Sequence, residues 1–165
     1  MIFLDTNVWF ELLANCSPKQ PHSIQQAQLA SSFIKNNKEE IVTCKEQLVE
    51  MIRAIAKRKR REYSDAQKAA GNSGVGSVKE FRKKEEFSRV ITLCKSVCED
   101  VETMAKVDNG FSYSVNDILE KFGMMDANDI MYFDYCKQNS IKLITFDKEL
   151  ADVDKSGEIV TLLGA

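Results

Sequence analysis

Four acidic residues stand at positions where side chains can do chemistry. Phe3-Leu4-Asp5 and Thr145-Phe146-Asp147 each place an aspartate at the end of a short apolar run. Glu50 lies about two turns into the helical stretch that follows a second such run, with Leu48, Val49, Met51 and Ile52 around it, so its surroundings are less polar than a solvent face. Asp129 falls in the first turn of another helical stretch, 18 residues before Asp147. Carboxylates brought together repel one another, and the usual relief is a hard divalent cation that prefers oxygen ligands, Mg²⁺ or Mn²⁺. Each acid also has a structural use. Asp5 and Asp147 suit helix N-caps, Asp126 and Asp129 are spaced as an N-cap and its N3 partner, and Glu50 can reach out of a half-buried helix. Taken singly, each is better explained structurally; the joint pattern points to a site. Asp134 and Asp152 read as solvated charges.

A fixed order of elements is needed to bring the four acids together. Ile2 to Leu4 reads as a strand and Asn7 to Leu13 as a helix. A loop over 17–21 follows, then a helix capped by Ser23 with Ile24, Ala27, Phe33 and Ile34 on one face. A second strand is expected over Glu40 to Cys44, and a third helix over Lys45 to Arg61. Three glycines in the run from Gly71 to Gly76 suggest a flexible joint ahead of a long amphipathic helix from about Val78 to Met104. Ser114-Val-Asn-Asp117 resembles a capping box opening a short helix that ends near Gly123. Helix returns from Asp126 to Lys137, closed by Asn139. Strands follow over Ile141 to Thr145 and Glu158 to Leu162, the last at an edge. Strands alternating with helices predict a parallel or mostly parallel α/β sheet covered by helices on both faces, with ligands beyond the carboxyl ends of the strands.

The chain has 165 residues, enough for one core without staples, and a formal charge of −2. That mean hides a partition: residues 1–98 carry 17 basic and 11 acidic side chains, a net +6, and residues 99–165 carry 6 and 14, a net −8. Five cysteines and no basic or apolar leader point to a reducing cytoplasm. Cys94 and Cys98 follow a helical apolar repeat and read as small core residues; with His22 the only histidine, no second pair completes a zinc site. No apolar run approaches the roughly 18 residues of a membrane span.

Phe3-Leu4-Asp5-Thr6-Asn7-Val8, Val42-Thr43 with Leu48-Val49-Glu50 and Ile55, Asp129-Ile130-Met131, and Leu143-Ile144-Thr145-Phe146-Asp147, in that order, resemble the PIN domain family, and within it the VapC-like toxin ribonucleases. The resemblance implies a single domain over 1–165, a three-layer α/β/α sandwich around a central parallel sheet. Asp5, Glu50, Asp129 and Asp147 would hold one or two Mg²⁺ or Mn²⁺ ions, with Asp126 a further ligand or a cap, and Thr6, Asn7 and Thr145 would supply hydrogen bonds around them. The reaction implied is metal-dependent hydrolysis of RNA phosphodiester bonds, in which the metal lowers the pKa of a bound water and no Ser, His or Cys nucleophile is required.

From Met51 to Arg61 the chain carries Arg53, Lys57, Arg58, Lys59, Arg60 and Arg61 and no acid. Beside a carboxylate site such a run would bind RNA phosphates, and Arg82, Lys83, Lys84 and Arg89 extend it; a solvated helix end is the other reading. The segment 57–85 is longer than in compact members of the family and reads as a basic helical insertion or extension: an RNA clamp, a dimer arm or a docking surface. Trp9, Phe10, Leu12 and Leu13 belong to the core or to a homodimer face. The toxin branch commonly pairs with an antitoxin protein. The competing reading is a catalytically inactive RNA-binding or assembly module. Phosphotransfer folds fit poorly, since a haloacid-dehalogenase type would place an acid where this chain has Asn7.

Overall fold

The computed structural model describes residues 1–15 and 20–164. The loop expected over 17–21, apart from its last two residues, and Cys16 lie outside them. Five strands form one all-parallel sheet: β1 (Ile2–Leu4), β2 (Ile41–Thr43), β3 (Lys106–Val107), β4 (Lys142–Thr145) and β5 (Val160–Leu162). Their spatial order is β3-β2-β1-β4-β5. β1 is in register with both neighbours, Ile2 opposite Ile41 and Phe3 opposite Leu143. Because the chain leaves β1 toward β2 on one side and reaches β4 on the other, the order reverses beside β1, and the crevice opens at the carboxyl ends of β1 and β4.

Side chains alternate across the strands and divide the interior into two clusters. Ile2, Leu4 and Ile144 pack with Trp9, Met51, Ile55, Val97 and Val101 on one face. Phe3 and Leu143 pack with Ile130, Tyr132 and Cys136 on the other. The first layer comprises α1 (Thr6–Trp9), continued by a π-helical turn over Phe10–Ala14, α2 (Pro21–Asn36), α3 (Lys45–Ala69), α4 (Val78–Phe81) and α5 (Phe87–Met104). The second comprises α6 (Val115–Lys121), α7 (Ala127–Asn139) and α8 (Lys148–Val153). The expected α/β/α sandwich is therefore present. Trp9 is fully buried in the core, with Phe10, Leu12 and Leu13 half-buried against it. Among the described residues no helix is long and apolar enough to cross a membrane.

Gln47, fully buried, ties the sheet to α3: its Nε2 donates to the Leu4 carbonyl and its Oε1 accepts from Thr43 Oγ1, both at 2.7 Å. This pair of bonds sets the start of α3 against the ends of β1 and β2, and with it the height of Glu50 above the sheet.

Several expected boundaries move. α2 starts on Pro21, whose missing N–H costs nothing at a first turn, rather than after Ser23. α3 runs on past Arg61 to Ala69, because Tyr63 stacks at 5.0 Å on Phe81 and Ser64 is buried. The glycine-rich stretch is not a loose joint: Val75 is buried, Arg60 Nη1 donates to its carbonyl at 3.3 Å, and a Cβ on Gly74 would collide with Ser64 of α3. The long helix expected from Val78 to Met104 is broken between Phe81 and Phe87. A continuous helix would turn these rings about 120° apart; the break lets them meet edge-on at 5.5 Å. Ser140, with φ 54°, rather than Asn139, takes the left-handed position after α7. β3, only two residues long, has no apolar run to announce it.

Asp154 fixes the turn into edge strand β5. Its Oδ2 accepts the amides of Ile159 and Val160 at 2.8 Å and its Oδ1 accepts Ser156 Oγ at 2.7 Å. Burial alone would raise its pKa, but these donors outweigh it and hold the carboxyl below the usual range. Its contribution is therefore present above the ordinary carboxylate pKa and lost as the pH falls through the lowered one. Asp154→Ala should cost about 2–3 kcal/mol in urea unfolding at pH 7, with the gap from the parent chain narrowing below pH ~4.

Candidate active site at the carboxyl ends of the sheet

The topology delivers Asp5, Glu50, Asp129 and Asp147 to one crevice. Asp5 follows β1, Asp147 follows the adjacent β4, Glu50 descends from α3, and Asp129 is in the first turn of α7. All four line a single cavity of about 360 Å³. Asp5 is 5% exposed and occupies the N-cap position of α1 without making a capping bond. Its Oδ2 instead accepts from Asn7 Nδ2 at 2.7 Å and from Thr145 Oγ1 at 2.5 Å. Asn7 closes this network, donating also to Thr145 Oγ1 at 3.1 Å and accepting the Phe146 amide at 3.2 Å. Thr6, the remaining expected supporting group, donates to Glu50 Oε2 at 2.8 Å.

Sequence reasoning missed Tyr132. Its hydroxyl donates to the same Glu50 Oε2 at 2.7 Å, while its ring is buried at 5.1 Å from that of Phe3. The spacing contained a signal: Tyr132 is three residues after Asp129, one turn along the same helix face. With both donors on Oε2, Oε1 of Glu50 has no partner among the described residues.

Electrostatics record how tightly the acids are gathered. Burial, followed by the nearby charges of Glu50 and Asp147, lifts the Asp5 pKa from 3.8 to about 6 in spite of the Thr145 hydroxyl that favours its ionised form. Asp129, which accepts no hydrogen bond from the described residues, is lifted to about 7 by burial and then by Asp5, Glu50, Asp147 and Asp126. Burial and the Glu50 carboxylate together push the Tyr132 phenol far above its ordinary range, so it stays a donor.

Not every expected residue reaches the site in the same way. Asp126 is exposed at the N-cap of α7, without a capping bond, and lines a neighbouring cavity with Asp129 and Asp147. Asp147 does cap α8, accepting the Glu149 amide at 2.8 Å, so its capping and site positions coexist. Asp134 is no solvated charge: Lys121 holds it at 2.5 and 2.6 Å. The basic run divides by helix face. Lys57, Arg58 and Arg61 line the acid cavity, because they lie seven, eight and eleven residues after Glu50. Lys59 pairs with Glu62 at 2.8 Å, as Arg58 also does through its Nε at 3.1 Å, and Arg60 donates to the Val75 carbonyl. Arg53 borders a smaller cavity on the other flank of Glu50, and Arg82 lines a separate cleft behind α3. Phe10, Glu11 and Gln26 also line the acid cavity and were not foreseen.

The donor set is all oxygen, and Glu50 Oε1 and the Asp129 carboxylate, neither with a hydrogen-bond partner among the described residues, are free for a hard cation, so the chemistry of the residues fits Mg²⁺ or Mn²⁺. Among the described residues no three His, Cys, Asp or Glu side chains already stand together as a metal cage. An acid whose folded pKa is raised binds more protons folded than unfolded between the two values, so stability falls as the pH rises through that window. For Asp129 the window runs from about 4 to about 7. Asp129→Asn should therefore raise the thermal midpoint in EDTA at pH 7.5 by about 2–4 °C. That is the effect of roughly 1 kcal/mol in a domain of this size, after solvent has reduced the repulsion at a half-exposed group. The gain should vanish near pH 4.

No curated protein matches the chain. The PIN domain family model does, over residues 2–156, a span that takes in all four carboxylates and four of the five strands, and the chain belongs to the PIN domain family.

Proposed function

We propose that the protein is a metal-dependent endoribonuclease. PIN domains are generally nucleases, and one observation carries the finer reading: four carboxylates from four chain segments share a cavity with a wall of Lys57, Arg58 and Arg61. A purely acidic crevice would repel a polyanion, and a purely basic one would bind it without chemistry; the two halves together suit phosphate hydrolysis.

In this reading Asp5, Glu50, Asp129 and Asp147 hold one or two Mg²⁺ or Mn²⁺ ions, with Asp126 at the margin. A bound ion would lower the pKa of a water and neutralise charge on the scissile phosphate. Asn7 and Thr145 orient Asp5, while Thr6 and Tyr132 orient Glu50. Lys57, Arg58 and Arg61 bind the flanking phosphates. RNA rather than DNA, and the role of toxin in a toxin–antitoxin pair with an antitoxin partner, rest on the motif resemblance to VapC-like ribonucleases. The inactive-module reading is favoured by one observation only, the absence of a ready-made metal cage among the described residues.

The purified protein should cleave RNA internally with Mg²⁺ or Mn²⁺ and lose that activity in EDTA. Asp5→Asn and Asp147→Asn should each lower the rate at least about a hundredfold, several kcal/mol of lost transition-state stabilisation, with unfolding still cooperative. Cleavage that survives EDTA or both substitutions refutes the metal site, and RNA binding without cleavage leaves the inactive module.

Phosphate contact has its own readout. Replacing Lys57, Arg58 and Arg61 by Gln should weaken binding to many RNAs alike and reduce the slope of log affinity against log salt by about two to three. Lys59→Gln, on another face of α3, should leave the slope unchanged.

A further inference from the structure

A cavity of about 340 Å³ adjoins the acid cavity and shares Glu50 with it. Lys45, Val49 and Arg53 recur every four residues along its α3 wall, with Glu46 and Glu50 on the same helix face. Asn128 and Met131 line it from α7, and each directly precedes a residue that serves the acids, Asp129 and Tyr132. The two helices thus turn adjacent faces to adjacent cavities. Tyr113 closes a further side, from the segment between β3 and α6.

This lining is neither core nor ordinary solvated surface. Tyr113 is 49% exposed and Val49 46%, and neither belongs to the two core clusters. Among the described residues the Tyr113 hydroxyl and the half-buried Asn128 amide have no hydrogen-bond partner, and Lys45 and Arg53 are in no ion pair. Lys45 also opens α3, where the helix dipole favours an acid, so its charge does not serve the helix.

Tyr113 is nevertheless held in place. Its ring lies 6.1 Å from Phe111, which is 6.2 Å from Tyr132 and 4.9 Å from Tyr135, and Tyr132 is 5.1 Å from Phe3 of β1. A chain of rings therefore runs from the sheet to Tyr113, through the same Tyr132 that aims Glu50. Ser114, next in the chain, accepts the Asp117 amide at 3.3 Å and anchors the other side. A half-exposed ring on a firm backing, an amide with donor and acceptor unused, and two free cations are what an unpaired nucleobase and its phosphate require. The volume is at the small end of the range for ligand cavities.

We infer that this cavity holds one unpaired base of the RNA strand, stacked on Tyr113 with its edge on Asn128, while Lys45 and Arg53 take the phosphate beside it. The inference rests on the ribonuclease reading above and gives it a substrate class: RNA that is single-stranded next to the scissile phosphate, since a paired base reaches Tyr113 only by leaving its stack.

Fluorescence anisotropy in EDTA, where no cleavage is expected, separates bases from charge. One probe is a single-stranded RNA of about ten nucleotides, the other an abasic ribose-phosphate oligomer of equal length and charge. The parent chain should bind the RNA about five- to a hundredfold more tightly, the range for one stacked base. Tyr113→Ala should remove most of that difference by weakening RNA binding alone, with the abasic oligomer and the salt dependence unchanged, and Tyr113→Phe should retain it. Asn128→Ala should likewise weaken only the RNA. Leu119→Ala, an exposed side chain of α6 outside both cavities, should change neither. A parent chain that binds the two oligomers alike or binds neither, or a Tyr113→Ala that weakens both equally or weakens nothing, overturns the base site. If the parent chain still cleaves RNA in Mg²⁺, the nuclease then stands without it. A base preference lost in Tyr113→Ala, with no cleavage in Mg²⁺, keeps the base site and refutes the nuclease.

Discussion

Asp5, Glu50, Asp129 and Asp147 repel one another, and much of the architecture is explained by what keeps them together. Two like charges about 6 Å apart at an effective dielectric of about 20 repel by roughly 3 kcal/mol, against a total stability of roughly 5–15 kcal/mol for a domain. Such an arrangement is not assembled for stability. The parallel sheet supplies the force against it, since β1 and β4 are bonded side by side through their buried apolar residues and end in Asp5 and Asp147. Gln47 does the same for Glu50 by fastening the first turn of α3 to the Leu4 carbonyl. The covalent and hydrogen-bonded frame fixes the backbone first, and the carboxylates have nowhere to retreat.

Neutral donors then decide how each acid is presented. Asp5 receives Asn7 and Thr145, and Glu50 receives Thr6 and Tyr132, in both cases on one named oxygen. None of these donors carries a charge, so they orient the carboxylates without cancelling the field between them. A lysine or arginine in their place would form a buried ion pair and remove the attraction for a cation. Tyr132 suits the task because Phe3 and Phe111 wedge its ring, leaving its hydroxyl little freedom. The helix that presents Asp129 therefore also aims Glu50.

Strand-end acids were legible because a parallel strand is an uninterrupted apolar run, and the residue that ends it is conspicuous. Glu50 was legible for the opposite reason, as a charge among apolar neighbours. What escaped the sequence depends on contacts between distant segments. The break between α4 and α5 exists because Phe81 meets both Tyr63 and Phe87, and Gly74 is placed by Ser64, not by its own conformational freedom. Tyr132 read as core, which its ring is; only the position of α3 gives its hydroxyl a partner. The basic run misled differently. Lys57 to Arg61 looks like one patch in the chain, yet five consecutive helical residues point in five directions. Counting from Glu50 by three and four picks out Lys57, Arg58 and Arg61 for the cavity wall, Arg58 while also paired with Glu62, and leaves Lys59 and Arg60 outside it.

The partition of charge along the chain acquires a spatial meaning from α3. The basic excess before residue 98 and the acidic excess after it do not form two poles of the molecule, because Lys57, Arg58 and Arg61 of α3 share one cavity with Asp129 of α7 and with Asp147 after β4, and the two signs face each other across it. A polyanion approaching this cavity meets cations at its wall and carboxylates at its floor. Charge of the wrong sign is tolerable at the floor only if something positive shares it, which ties occupancy by a cation to binding of the phosphate: each lowers the electrostatic cost of the other, so by linkage each should strengthen the other. The back of α3 carries only Arg53 of this charge and is otherwise apolar, with Ile52 and Ala56 facing the cleft. One helix can thus bound a polar site and an apolar cleft at once, because its period separates Glu50 and Arg61 from Ile52 and Ala56 by about a quarter turn or more.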